Sequence, residues 1–271
     1  MRAEQCLRQG KLEAALDALQ SEVRSVPSDF KLRVFLFQLL AVLGQWERAV
    51  KQLQVAASLD AEGVPMAQTY RELLRCELTR AEVFRGDRTP HVVGLPAPWL
   101  GLMFQALVHT AQGEHAAAES LRAQALEQAP ASPGSLNGQP FGWLADSDSR
   151  IGPALEAVIR GRYCWVPFSA MQRVEFELPV DLRDVVWLPA KLTSTQGEAL
   201  ECFIPSRYCA SELHADDAVR LARKTIWEQP TEHTACGLGQ RMFVTDCGEH
   251  ALLELRDVRF ASEGAGEDRH G

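Results

Sequence analysis

Nowhere in the 271 residues is there a run of about 18 apolar residues, so the sequence offers no helix for crossing a bilayer. The opening stretch MRAEQCLRQGKLEAAL carries a charge or an amide every few residues and lacks the apolar core of a secretory leader. Export is therefore not expected. A dense, even cysteine framework is missing too. The seven cysteines are scattered through apolar stretches, which reads as reduced thiols of a cytoplasmic protein rather than a disulfide-stapled domain. Basic excess is absent: the net charge is −8, with 14 Lys/Arg against 15 Asp/Glu over residues 1–128. Most of the negative charge thus falls on the second half, which would repel a polyanion, and nucleic acid is not an expected partner. No G-x-S-x-G, H-E-x-x-H or P-loop sequence occurs, so no enzyme activity and no cofactor is expected.

What is present is an internal repeat. Gly10-Lys-Leu12-Glu-Ala-Ala15, Gly44-Gln-Trp46-Glu-Arg-Ala49 and Gly113-Glu-His115-Ala-Ala-Ala118 share the form glycine, any residue, bulky residue, two residues, alanine. The first two glycines lie 34 residues apart, and the last two are separated by close to two further periods. Such a glycine ends one helix in the left-handed conformation, and the small alanine lets the next helix pack closely. Pro27 and Pro130 then stop the second helix of the first and last copies; Ala61 stands at that position in the middle copy, and no clean copy lies between Gly63 and Pro98. Apolar spacing of three to five predicts a helix over 7–26, a nearly all-apolar one over 30–43, and others over 66–84, 99–111 and 114–128, with a loop over 85–98. This pattern is similar to the tetratricopeptide repeat.

Residues 129–149 are rich in Pro, Gly and Ser and read as a linker. Beyond them the period falls to two. A hairpin is expected from 155–160 and 163–168 around Gly161, with strands at 174–178, 185–192, 199–204, 240–246 and 251–258 and one helix over 215–224. Residues 261–271 read as a disordered tail. The fold class is α+β in two domains: a helical superhelix over 1–128 and a mainly antiparallel β-rich domain over 150–260.

Chemical motifs are few. His233-x2-Cys236 and Cys247-x2-His250 have zinc-compatible spacing, but the turn and strand between them would put the pairs at opposite strand ends, about 3.3 Å per residue apart, and no metal site is expected. Gly237-x-Gly239 precedes a strand rather than a helix and reads as a plain turn instead of a phosphate loop. Asp146-x-Asp148 lacks the remaining calcium-loop ligands.

Five stretches resemble the fingerprint of the ImpE/TagJ family of type VI secretion accessory proteins: Leu144-Ala-Asp-Ser-Asp-Ser-Arg-Ile-Gly-Pro153 with Glu156, Gly161-Arg-Tyr-Cys-Trp-Val-Pro-Phe168, Asp181-Leu-Arg-Asp-Val-Val-Trp-Leu-Pro-Ala190, Ile204-Pro-Ser-Arg-Tyr208 and Gly237-Leu-Gly-Gln-Arg-Met242. The motif residues are Asp146, Asp148, Arg150, Glu156, Tyr163, Trp165, Arg183, Asp184, Trp187, Arg207, Tyr208 and Arg241. The charged ones are expected more in buried ion pairs than in partner contacts. The resemblance implies a cytoplasmic, non-enzymatic adaptor that binds a helix of the small contractile-sheath subunit and takes part in sheath recycling by a AAA+ ATPase. Stacked helix pairs form a concave face suited to such a helix, and Phe35, Gln38, Tyr70, Leu74, Arg75 and Phe104 are its expected lining. The alternative reading makes the β-rich domain an enzyme or a small-ligand or zinc-binding domain that the repeats merely localise.

Overall fold

The computed structural model describes residues 1–61, 63–95 and 97–261. Seven helices dominate the first half: α1 (Arg2–Arg8), α2 (Leu12–Ser25), α3 (Phe30–Val42), α4 (Trp46–Leu59), α5 (Gly63–Phe84), α6 (Pro98–Ala111) and α7 (His115–Gln128). The three repeat glycines are the corners between α1 and α2, α3 and α4, and α6 and α7. All three are left-handed, with φ of +70° at Gly10, +67° at Gly44 and +77° at Gly113. The same pair of bonds closes each corner: Lys11 N–H donates to Cys6 O, Gln45 to Leu40 O and Glu114 to His109 O, while the glycine N–H reaches the carbonyl three residues back. Ala15, Ala49 and Ala118 are fully buried, as close helix packing there requires. The expected helix over 7–26 is thus two helices, broken at Gly10. None of the described helices is long and apolar enough to cross a membrane.

One short strand, β1 (His91–Val92), lies between α5 and α6, and the others follow α7: β2 (Gly134–Leu136), β3 (Gln139–Phe141), β4 (Leu144–Asp146), β5 (Ala154–Ile159), β6 (Arg162–Pro167), β7 (Met171–Phe176), β8 (Trp187–Ser194), β9 (Ala199–Pro205), β10 (Thr225–Thr231), β11 (Thr234–Gly239), β12 (Met242–Thr245), β13 (Gly248–Ala251) and β14 (Asp257–Phe260). Nine of them form one sheet in the order β1-β6-β5-β9-β8-β7-β14-β2-β3, antiparallel except for the β1–β6 pair. β13, β12 and β4 form a second sheet and β10–β11 a hairpin.

Several expectations are corrected. Residues 129–149 are not a bare linker, because they contribute β2, β3 and β4; Asn137 and Gly138, with φ of +47° and +84°, make the tight turn of the β2–β3 hairpin. The loop over 85–98 lends β1 to the sheet edge. The helix expected over 215–224 shrinks to α8 (Asp217–Arg220), since Ala222 turns left-handed at φ +52°. The strand expected over 251–258 is split between β13 and β14 by a short 3-10 turn. Gly237 and Gly239 are not a turn but lie inside β11: a Cβ at 237 would strike the Tyr208 ring at 2.3 Å, and one at 239 the Lys224 carbonyl at 1.9 Å. The tail expected from 261 lies, past Ala261, outside the described residues.

The core explains how the halves meet. On β5 and β6 alternate side chains point to opposite faces. Leu155, Ala157, Ile159, Cys164 and Val166 join a core inside the β region with Phe168, Phe243 and Phe260. Ala154, Val158, Tyr163 and Trp165 join the helical core, which runs without a break from Ala3 through Phe37 and Tyr70 to Trp187 and Tyr208. The helices therefore pack directly on one face of the sheet. Trp165 and Trp187 are both fully buried there. Each hides about 150–250 Å², an upper bound on the order of 4–6 kcal/mol.

Candidate functional site at the junction of helices and sheet

The residues expected to line an open concave face meet the chain's own sheet instead. Gln38, Tyr70 and Leu74 are buried. The Tyr70 ring lies 5.3 Å from Phe37 and 6.0 Å from both Trp187 and Phe203, and Phe104 packs edge-on against Trp165 at 5.4 Å. Phe35 and Phe104 are half-buried, and Arg75 alone of the set is exposed. The scoop is thus filled, because the sheet's aromatic face has the same apolar character as a partner helix and is covalently attached.

Beneath that contact the motif residues form a buried charge cluster. Glu156 on β5 is fully buried and accepts hydrogen bonds from Arg80 Nε at 2.6 Å and Arg80 Nη2 at 3.0 Å, and also from Arg241 and the Tyr163 hydroxyl. Arg241 spans Glu156 and Asp146 and donates from Nε to the Pro205 carbonyl at 2.9 Å. The Tyr208 hydroxyl lies 3.1 Å from Asp146 Oδ1, and Trp165 Nε1 donates to the Tyr163 hydroxyl at 2.8 Å. On the helical side, Arg80 also faces Glu77 at 3.5 Å, and Glu77 accepts from Trp187 Nε1 at 2.8 Å. One charge network therefore ties α5 to β5, β8 and the segment before β12. Burial pushes the Glu156 carboxyl up, but Arg80 and Arg241 outweigh it and hold it down at about 2. Asp146 is raised to about 7 by burial, with Arg241 opposing and Asp148 adding to the rise.

The remaining motif residues are fasteners around this centre. Arg150 grips Asp148 through Nε at 2.9 Å and stacks 5.0 Å over Phe84, while Asp148 also accepts from Gly237 N–H at 2.9 Å, which pins β11. Arg207 sits at the end of α3, donating to Val42 O at 2.8 Å and Ala41 O at 3.2 Å. It satisfies carbonyls that a helix end leaves free. Burial lowers its guanidinium to about 10. Arg183 pairs with Asp181 at 2.6 Å and lies 4.8 Å over Tyr70, and Asp184 caps a 3-10 turn, Leu182–Val185, by accepting from Val180 and Asp181 N–H at 2.8 Å. Sequence reasoning missed Glu77 and Arg80. Their signal was present: Tyr70, Leu73, Glu77, Arg80 and Phe84 follow at three and four, which puts two charges on an apolar stripe.

The geometry offers little chemistry. His233 and Cys236 belong to the β10–β11 hairpin and Cys247 and His250 to the β12–β13 hairpin, in different sheets. A small open depression of about 280 Å³ is lined by Arg150, Cys209, His214, Glu228 and Cys236. Burial pushes the Cys209 thiol up to about 12 and raises Cys236 as well, the reverse of what an activated thiolate needs. The Glu156 cluster is sealed from solvent and has every carboxylate engaged. Its arrangement is that of a scaffold fastening two structural units.

A helical-hairpin array is locked by buried ion pairs onto one face of an antiparallel sheet. The chain belongs to the ImpE/TagJ family. The profile of the ImpE protein family matches residues 138–259, the stretch that holds all the motif residues. The type VI secretion system accessory component TagJ of Pseudomonas aeruginosa PAO1 is 51% identical over 260 residues, spanning 96% of this chain and 91% of that protein. The crystal structure of protein VPA1032 from Vibrio parahaemolyticus superposes with a TM-score of 0.90 at 25% identity, covering 98% of this chain and 99% of that one.

Proposed function

We propose that the protein is a non-enzymatic accessory component of a bacterial type VI secretion system, working in the cytoplasm as an adaptor. It binds a helix of the small contractile-sheath subunit and modulates sheath assembly or its disassembly by the AAA+ ATPase. The observation that carries this reading is the 51% identity to TagJ across nearly the whole chain. Two features support it. The left-handed glycine corners build helix pairs similar to tetratricopeptide pairs; with their concave face taken by the chain's own sheet, a partner helix engages another face of them. The buried Glu156 carboxylate is engaged by arginines and a tyrosine, and burial raises the Cys209 thiol. The test is co-purification of the full chain with the small sheath subunit, followed by titration with a peptide spanning that subunit's N-terminal helix. Saturable binding is expected; no detectable association at tens of micromolar overturns the reading.

A further inference from the structure

With the concave face filled, an apolar recess lies elsewhere on the helical half. A groove of about 520 Å³ lies between α4 and α5. Trp46, Leu74 and Leu78 form its apolar floor, and Leu78 is 53% exposed although it continues the row begun by buried Leu74. Arg48, Arg71 and Arg75 stand exposed around it; of the residues that line it Glu47 alone is acidic, and the Glu212 side chain lies beside Gly44 at its rim. Among the described residues neither Arg71 nor Arg75 has an ion-pair partner. Leu74 and Leu78 repeat at four residues along α5, as do Arg71 and Arg75, so an apolar row and a basic row run side by side. On a chain of net charge −8 this is a locally positive, greasy trough.

We propose that this groove is the docking site for an acidic amphipathic helix of a partner protein. A third helix fits between two packed helices ridge into groove; its apolar row covers Trp46, Leu74 and Leu78 while its carboxylates meet Arg71 and Arg75. The choice of an acidic partner follows from the unpaired arginines: a basic helix would be repelled, and a neutral one would leave them unanswered. This deepens the adaptor reading and rests on it for the identity of the partner, though not for the chemistry of the groove.

The experiment uses the full chain and a labelled designed helix about 18 residues long, five turns, with leucines on one stripe and glutamates flanking it. Fluorescence anisotropy should show saturable binding that weakens with salt. Arg71→Glu with Arg75→Glu, and separately Leu78→Asp, should each weaken it about tenfold or more, and a peptide with glutamine for every glutamate should bind weakly with little salt dependence. Because the three side chains are exposed, the variants should keep the parent's circular dichroism and melting temperature, which separates lost binding from lost folding. No binding at submillimolar peptide, or equal binding by the charge-reversed variant, overturns the proposal. Co-purification of the small sheath subunit distinguishes the two readings. Its retention by the charge-reversed variant removes the groove as its site and leaves the sheath reading intact; its absence from the parent, with peptide binding preserved, removes the sheath reading and leaves the groove.

Discussion

Replacing Glu156 by glutamine changes one oxygen to nitrogen at the centre of the junction. The parent carboxylate is fully buried and answers Arg80, Arg241 and Tyr163 at once. Glutamine supplies one acceptor oxygen and turns an N–H₂ toward a guanidinium, so a donor meets a donor and two buried cations keep only Glu77 and Asp146 as anionic partners. Removing one partner of a buried ion pair costs about 3–5 kcal/mol, because the remaining charge stays desolvated. In a chain of this length that is a melting-temperature drop of roughly 6–20 °C, at about 2–4 °C per kcal/mol. The assay is urea unfolding read by tryptophan fluorescence, since Trp165 lies opposite Glu156 in the β5–β6 register and senses the site directly. A cycle with Arg241→Met isolates the pair: the double variant should cost less than the sum of the singles by roughly 0.5–3 kcal/mol. A loss below about 1 kcal/mol for Glu156→Gln would refute the claim that this cluster fastens the halves.

Acid should also loosen the junction. Glu156 is held at about 2 against an ordinary 4.5, so its contribution is complete above pH 4.5 and is lost as pH falls toward 2. Asp146, raised to about 7 from 3.8, acts with the opposite sign: the folded state binds its proton more tightly, and stability declines as pH rises from about 4 to 7. Chemical denaturation at stepped pH should show both slopes, and Asp146→Asn should remove the second. Arg207→Lys should cost roughly 2–4 kcal/mol in urea titration, because one ammonium cannot span the Ala41 and Val42 carbonyls and buried charge-assisted bonds are worth about 1.5–3 kcal/mol each. Residues 129–261 expressed without the helices should be insoluble or bind a hydrophobic dye, since Trp165, Trp187 and Tyr208 lose their cover, whereas the full chain should melt in a single calorimetric transition.

The helical half was largely legible in the sequence, because each corner is set by local chemistry: a left-handed glycine, a closing 6→1 bond and a buried alanine five residues on. The Tyr163–Phe168 hairpin was legible for the same reason, with Arg160 and Gly161 in its tight turn. Asn137-Gly138 is an equally strong hairpin signal, yet it was masked by the surrounding prolines and read as part of a linker. β10 and β11 escaped because Gly237 and Gly239 look like punctuation, whereas they are small to admit the Tyr208 ring and the Lys224 carbonyl, neighbours remote in sequence. The site was legible as a set of motif residues and as a preference for buried ion pairs. What occupies the concave face was not: no local pattern says that Tyr70 will meet Trp187 rather than another molecule.

The Arg207 clasp on α3 joins groups 165 positions apart in the chain. A ribosome making the protein from its N-terminus releases α3 and α5 long before the arginine that closes α3, or the tryptophans that roof Tyr70 and Phe104, have been polymerised. For that interval the nascent helices present a bare aromatic wall, and the second half of translation is what covers it.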